Sequence, residues 1–218
     1  MNLWLYSDIQ EQYRTAMNLV LFGAETLKSA LSIDRIDELE IKIQELDKGV
    51  DPEKVGLTDF MFSSLMDSIK ITLFFENYFK AELIMNNFCV HKIKGNIEDF
   101  KNIKKAQAKR PIKLEEIHNI QPFNIVSNQK IITHDALEES TLGFYNLVSK
   151  ESYSQHYGLD KGLLEFVKEL SSQRNNLHFL TGLNFTIRRN HIEKLKKIEI
   201  FAQNMVNKFM NGYNEKKT

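Results

Sequence analysis

The sequence predicts an all-α protein, a helical bundle with one irregular insertion. Apolar residues recur every three or four positions along most of the chain, which is the spacing of a buried helix face. Residues 89–133 break this pattern, because two prolines and two short β-branched runs occur there. The chain has 218 residues with 42% hydrophobic and 27% charged residues, which suits a single globular domain, residues 1–218, with the insertion inside it.

Three helices are predicted before the insertion. The first covers residues 6–31, where the apolar positions line one side. Ser32 and Asp34 offer a break and a new N-cap for the second helix. Thr58 or Asp59 is expected to cap the third, whose apolar residues nearly encircle it. A helix of that kind is buried on all sides, so it is predicted to be the central helix of the bundle.

The insertion combines a basic stretch with weak β-character. Residues 92–110 contain seven Lys or Arg residues and only two acidic ones, and Pro111 ends the stretch. We expect this stretch to be an exposed, mobile arm that adds affinity for an anionic partner. The alternative is a solvated connector without a binding role. Two β-branched runs on either side of residues 127–129 predict a β-hairpin.

The helical pattern returns after the insertion. Asp135 is predicted to cap a helix that continues to Val148, and the polar, tyrosine-rich residues 149–158 are predicted to form a loop. Asp160 is expected to cap the next helix. Thr186 is expected to begin the last one, which frays over residues 211–218.

Charge and cysteine content limit the classes of function. Lys plus Arg and Asp plus Glu both number 29, so the chain has no overall basic field and any RNA binding must come from a local patch. The single cysteine, Cys89, cannot form an internal disulfide and is expected to be a small buried apolar residue in a reducing compartment. The first residues lack a basic leader, and charges interrupt the most apolar helix. The expected location is the cytoplasm.

Arg174 and His178 are the candidate catalytic pair. They are four positions apart in a predicted helix, so they fall on one face of it. Arginine is a planar, permanent cation that suits phosphate, and histidine gains or loses a proton near neutral pH. These are the minimal groups for cutting a phosphodiester without a metal. The alternatives are surface charge for the arginine and a core position for the histidine.

The surrounding residues resemble a known family. Arg174-Asn175-Asn176-Leu177-His178-Phe179 is similar to the C-terminal motif of the HEPN superfamily, which comprises small helical bundles in toxins, phage-defence proteins and RNA-processing nucleases. Residues 68–84, ending in Lys80-Ala81-Glu82-Leu83-Ile84, resemble a second helix found in many HEPN domains. Only three residues separate Arg174 from His178, fewer than in the family's usual nuclease motif.

The resemblance implies a fold, an activity and partners. It implies a HEPN-like bundle that cuts RNA without a metal, with Arg174 and His178 as catalytic residues and Asn175 orienting phosphate or histidine. It also implies a homodimer in which two motif helices meet, and an antitoxin or other defence-system protein as a partner. The open alternatives are a non-catalytic HEPN-like module that binds RNA, a nucleotide or a protein, and a purely structural helical adaptor.

Further phosphate-binding candidates are Lys80, Arg188 and Arg189. Lys80 also follows Glu76 by one helical turn, which is the spacing of an ordinary surface ion pair. Arg188 and Arg189 open a cluster that ends at His191, for which an ordinary solvated helix face is the favoured alternative. No metal is expected, because the single Glu-x-x-His element at Glu115 lacks a second copy. No cofactor is expected either, since the chain lacks a glycine-rich phosphate loop.

Overall fold

Helices dominate the computed structural model, which describes residues 6, 8–126, 131–177 and 189–217. Helix accounts for 67% of the residues and strand for 8%, which confirms the predicted, mostly helical fold. Within the described residues the α-helices are α1 (Ile9–Lys28), α2 (Ile33–Asp47), α3 (Leu57–Met85), α4 (Lys101–Gln107), α5 (Leu114–His118), α6 (Phe144–Val148), α7 (Glu151–Ser154), α8 (Lys161–Leu177) and α9 (Arg189–Lys217). No described helix is both long enough and apolar enough to cross a bilayer.

The strands form two small antiparallel sheets among the described residues. They are β1 (His91–Ile93), β2 (Asn124–Val126), β3 (Ile131–Thr133) and β4 (Leu137–Thr141). Strand β1 pairs with β4, and β2 pairs with β3. The pairing of Asn124 with Thr133 confirms the predicted hairpin, although residues 127–130 lie outside the described part of the chain.

The chain forms two compact units. The first comprises Met1–Val20, Glu76–Leu159 and Asn207–Thr218, and the second comprises Leu21–Phe75 and Asp160–Val206. Three of the four boundaries fall within α1, α3 and α9, so each of these helices contributes residues to both units, and the fourth lies just before α8.

In the second unit, α2 is capped and tied to α3 by side chains. The Ser32 side chain accepts a hydrogen bond from the backbone N–H of Arg35, which confirms the predicted cap. The Arg35 guanidinium lies 2.9 Å from the Asp67 carboxylate on α3. Thr58 and Asp59 do not precede the third helix as caps, because α3 already begins at Leu57.

A close approach between α1 and α3 depends on a glycine in the second unit. A Cβ atom at Gly23 would lie 3.1 Å from the Cα of Phe74, so a larger residue would push the two helices apart. Phe74 and Phe75 are both fully buried, and the Phe75 ring stacks on Phe201 of α9 with their centroids 5.9 Å apart. The middle of α3, around Phe74 and Phe75, is therefore a core element, as its apolar sequence predicts.

In the first unit, aromatic rings surround the end of α3. The Phe79 ring stacks on Tyr157 at 4.0 Å and on Phe144 at 5.9 Å between centroids. The predicted loop over residues 149–158 is wrong, since α7 forms there and Tyr153 and Tyr157 are buried. The segment is polar in composition, but its tyrosines bury their rings against the apolar core, as amphipathic aromatic residues often do.

The helix predicted to begin after Asp135 is also wrong. Residues Leu137–Thr141 form strand β4, and only Phe144–Val148 is helical. In this sheet, Leu137 pairs with Ile93 and Thr141 pairs with His91. Strand β1 offers free backbone groups to this segment, and such a tertiary partner overrides a weak local preference for helix.

The insertion is folded, so the expectation of a mobile basic arm is wrong. Residues 92–110 contain part of β1, a 3-10 turn (Glu98–Phe100) and α4. Phe100 and Ile93 are both 1% exposed and belong to one apolar cluster with Cys89. These buried residues anchor the stretch, while most of its lysines remain on the surface.

Cys89 lies in the interior of the first unit. It is fully buried, and burial raises the pKa of its thiol to about 11, as expected for a structural residue.

The end of α9 also belongs to the first unit. The predicted fraying over 211–218 is wrong, since α9 continues to Lys217, and a Cβ at Gly212 would lie 3.2 Å from the Tyr13 ring. Thr186, the predicted start of this helix, lies outside the described residues.

Phe79 is expected to be a major source of stability. Phe79→Ala would leave a cavity among stacked rings and should lower the free energy of unfolding by about 3–5 kcal/mol. Phe22→Ala is the matched control, because Phe22 is 62% exposed, and it should change this energy by less than about 0.5 kcal/mol. Chemical denaturation of both variants measures the difference. Equal losses would show that the aromatic stack is not a core.

Candidate functional site

The candidate motif begins in the last described turn of α8. The backbone of Arg174 and Asn175 is helical, and α8 extends to Leu177, the residue before His178. Leu163 N–H donates to the Asp160 side chain at 3.0 Å, which confirms the predicted cap of this helix. His178, Arg188 and the side chains of Arg174, Asn175 and Arg189 lie outside the described part of the chain. That Arg174 and His178 share a face stays a prediction.

Residue 174 continues the apolar stripe of α8. The buried residues of this helix are Leu163, Phe166, Val167, Leu170 and Ser171. At roughly 100° per residue, position 174 falls about 20° from the direction of Leu163, near the middle of the arc that these residues cover. Position 178 would fall on the same arc if the helix continued.

Lys80 lies on α3 in the first unit and is paired. Its ammonium is 2.7 Å from the Glu76 carboxylate one turn earlier, and the two side chains are 12% and 19% exposed. The predicted helix pair is therefore confirmed, while a role for Lys80 in phosphate binding stays a prediction.

His91 is a titratable group near Lys80 that sequence reasoning did not single out. Its Nδ1 lies 2.9 Å from the backbone oxygen of Glu138, and its buried Nε2 has no hydrogen-bond partner among the described residues. Burial lowers the pKa of His91, and the charge of Lys80 lowers it further. The sequence signal for His91 is its position two residues before the apolar Ile93, because the two-residue period of a strand places both on one face, which is the buried face of β1.

His191 is buried, so its assignment to a solvated helix face is wrong. It is 6% exposed, and its ring centroid lies 5.0 Å from that of Phe166 on α8. Its Nε2 is 3.8 Å from the Glu169 carboxylate. The start of α9 thus packs against α8 in the second unit, and Arg189 is the first residue of that helix.

A groove in the second unit has mixed charge. It lies between α2 and α9, has a volume of about 790 Å³, and is lined by Glu40, Ile43, Gln44, Asp47, Lys48, Ile192, Glu193 and Lys196. Because the groove has three carboxylates and only two lysines, it does not favour the binding of an anionic substrate. Across the described residues, no group of three or more His, Cys, Asp or Glu side chains has an arrangement that would hold a metal ion.

Comparison with known proteins gives no relative for this chain. No protein-family model, curated protein or solved structure matches it. The HEPN resemblance stays a prediction that rests on the residues around Arg174 and Lys80.

His91 is expected to make the fold sensitive to acid. Its pKa is lowered in the folded state, so below about pH 6.5 the unfolded chain binds a proton that the folded chain does not. The free energy of unfolding should therefore fall with falling pH, by up to about 1.4 kcal/mol per pH unit for one histidine.

His91→Gln should reduce this slope, measured by denaturation at several pH values from 5 to 7.5. Part of the slope should remain, because burial also lowers the pKa of His134 and His156. Identical slopes for wild type and variant would show that His91 is not the group that titrates.

Proposed function

We propose that this protein is a HEPN-like, metal-independent endoribonuclease of the toxin or phage-defence type. The observation that carries the proposal is the position of Arg174 on the apolar stripe of α8, with His178 one turn further along the sequence. An ordinary surface arginine would sit on the solvated side of the helix. In this proposal, the anionic partner of Arg174 is a phosphate of the substrate.

The proposed chemistry uses two groups. His178 removes the proton from a ribose 2′-hydroxyl, and the resulting oxyanion attacks the adjacent phosphorus. Arg174 stabilises the negative charge that builds up on the phosphate oxygens, and Asn175 orients the phosphate or the imidazole. The bond to the 5′-oxygen breaks, that oxygen takes up a proton, and a 2′,3′-cyclic phosphate remains. This reaction needs neither a metal nor a cofactor.

Other cations assist binding in this proposal. Arg188 and Arg189 contact phosphates flanking the cut, and Lys80 is a further phosphate-binding candidate in the first unit, which suits a chain with zero net charge and only local basic patches. The single buried cysteine fits action in the cytoplasm, and an antitoxin or other defence-system protein is the proposed regulator.

The second candidate is a non-catalytic HEPN-like module. The observation that favours it is the interval of only three residues between Arg174 and His178. Such a module uses the same stripe to bind RNA, a nucleotide or a protein partner, and the phosphate contact of Arg174 is kept while His178 has no acid–base role.

Cleavage of RNA is the deciding measurement. The purified protein should cut single-stranded RNA in the presence of a chelator and leave a cyclic phosphate, whereas DNA of the same sequence should stay intact because it lacks the 2′-hydroxyl. Arg174→Ala and His178→Ala should each lower the rate by at least about 100-fold, the usual contribution of a general base or a charge-stabilising group.

Matched substitutions elsewhere control for general effects. Arg14 lies in an exposed ion pair with Glu11, and His118 is also exposed, so Arg14→Ala and His118→Ala should cut at the wild-type rate. A folded His178→Ala protein with wild-type activity would rule out the mechanism. Tight RNA binding without cleavage by the wild type would favour the non-catalytic module.

A homodimer is expected because one Arg and one His form an incomplete site. A twofold axis beside α8 would bring two pairs together and supply an acid, a base and two cations with one type of interface. Light scattering at micromolar concentration should give twice the mass of the 25.5 kDa chain. A monomer that retains cleavage activity would contradict this arrangement.

A further inference from the structure

The basic residues of the insertion form a fixed surface. Three lysines of α4, Lys101, Lys104 and Lys105, fall within an arc of about 100° at roughly 100° per residue. The buried residues Phe100 and Gln107 fall to one side of this arc, about 90° and 110° from its centre. Lys109 follows in the turn after α4 and is exposed. These four lysines are called the lysine face below.

Hydrogen bonds hold the lysine face rigidly against the first unit. The Gln107 side chain donates to the backbone oxygen of His91 at 2.8 Å and accepts from the N–H of Ile93 at 3.0 Å. Tyr153 donates its hydroxyl to the backbone oxygen of Gln107 at 2.7 Å. A partner that binds here does not have to order the backbone first, and this lowers the entropic cost of binding.

The charge of this face is largely uncompensated. Lys101 pairs with Glu98, but both side chains are well exposed, at 49% and 80%, and such a surface pair is worth little. No carboxylate among the described residues lies within ion-pair distance of Lys104, Lys105 or Lys109. The excess is local, because the whole chain has zero net charge.

The composition of the face distinguishes among anionic partners. Amphipathic surfaces that bind lipid present large apolar side chains beside their lysines. The large exposed apolar residues of the described chain are Ile9, Phe22, Ile41, Val50, Met66, Ile120, Ile125, Tyr145, Ile200 and Met210. None of them lies within residues 92–113. Lysines without apolar anchors match a hydrophilic polyanion, and point charges of this kind read the phosphates rather than the bases.

We propose that the lysine face binds the phosphate backbone of a nucleic acid, without sequence preference. This surface is separate in sequence from the Arg174 motif and does not depend on whether that motif cuts RNA. A second role for two of the lysines also has to be tested. Lys104 and Lys105 lie in the last turn of α4, where cations stabilise a helix even without a ligand.

The test measures binding of a fluorescent 20-nucleotide single-stranded DNA to the full chain over a range of salt concentrations. DNA has the same phosphates as RNA but cannot be cut through a 2′-hydroxyl, so binding is measured without cleavage. The triple variant K104Q/K105Q/K109Q should bind about tenfold or more weakly at low salt. Its slope of log affinity against log salt should be shallower by about 2, given about 0.7 per phosphate contact.

A matched triple variant separates location from total charge. K54Q/K161Q/K197Q removes the same charge from exposed positions in the second unit and should bind like the wild type. K104R/K105R/K109R keeps the charge and should also bind like the wild type. If K104Q/K105Q/K109Q does not fold, K105Q/K109Q provides the same comparison with a smaller expected change in slope, of about 1.4.

Four outcomes would overturn the proposal. The wild type could fail to bind the DNA at low salt, or it could bind vesicles containing anionic lipid in preference to the DNA. The two glutamine triples could show equal slopes of log affinity against log salt. K104Q/K105Q/K109Q could lose stability without losing affinity for the DNA. RNA cleavage is assayed separately, so its failure would leave this result unaffected.

Discussion

The fold of the insertion depends on how the backbone N–H and C=O groups of strand β1 find hydrogen-bond partners. Strand β4 pairs with one edge of β1, and the other edge would be buried without a partner. The Gln107 side chain fills this role, since its amide bonds both His91 and Ile93. An unpaired backbone group of this kind costs about 1–3 kcal/mol when buried. One glutamine therefore fixes α4 to the sheet, and with α4 it fixes the exposed lysines.

The same contact links three parts of the first unit. Gln107 receives the Tyr153 hydroxyl at its backbone oxygen, and Tyr153 belongs to α7. Ser152 of α7 donates to the backbone oxygen of Lys109, so the turn that follows α4 is held as well as the end of the helix. The lysine face is thus positioned by hydrogen bonds to residues about 45 positions later in the chain. Sequence neighbours alone would not produce this rigidity.

The two proposed functional surfaces differ in how charge is placed. Around α4 the lysines are exposed, and the proposed role of these point charges is to bind a polyanion without chemistry. On α8, position 174 falls in the direction of the apolar stripe of the helix. The first arrangement suits loose binding along a strand. The second suits recognition of a single phosphate, which is why the proposed chemistry is assigned to α8.

The sequence by itself determined the long helices. Apolar periodicity and local caps such as Ser32 and Asp160 involve residues within a few positions of one another, so α1, α2, α3 and α8 could be predicted from the chain. The hairpin of β2 and β3 was predictable for the same reason, because its partners are adjacent in sequence. The Arg174 motif was also found from local spacing, and the structure adds that its helix is apolar on that side.

Only the tertiary structure decided the parts that depend on distant partners. Leu137 is in a strand because β1 lies beside it, and Tyr157 is in the core because the Phe79 ring covers it. The basic stretch is a fixed surface because Phe100 and Gln107 bury their side chains in the first unit. His91 and His191 are buried for similar reasons. Burial and long-range pairing arise from residues far apart in sequence, and local propensity carries no information about them.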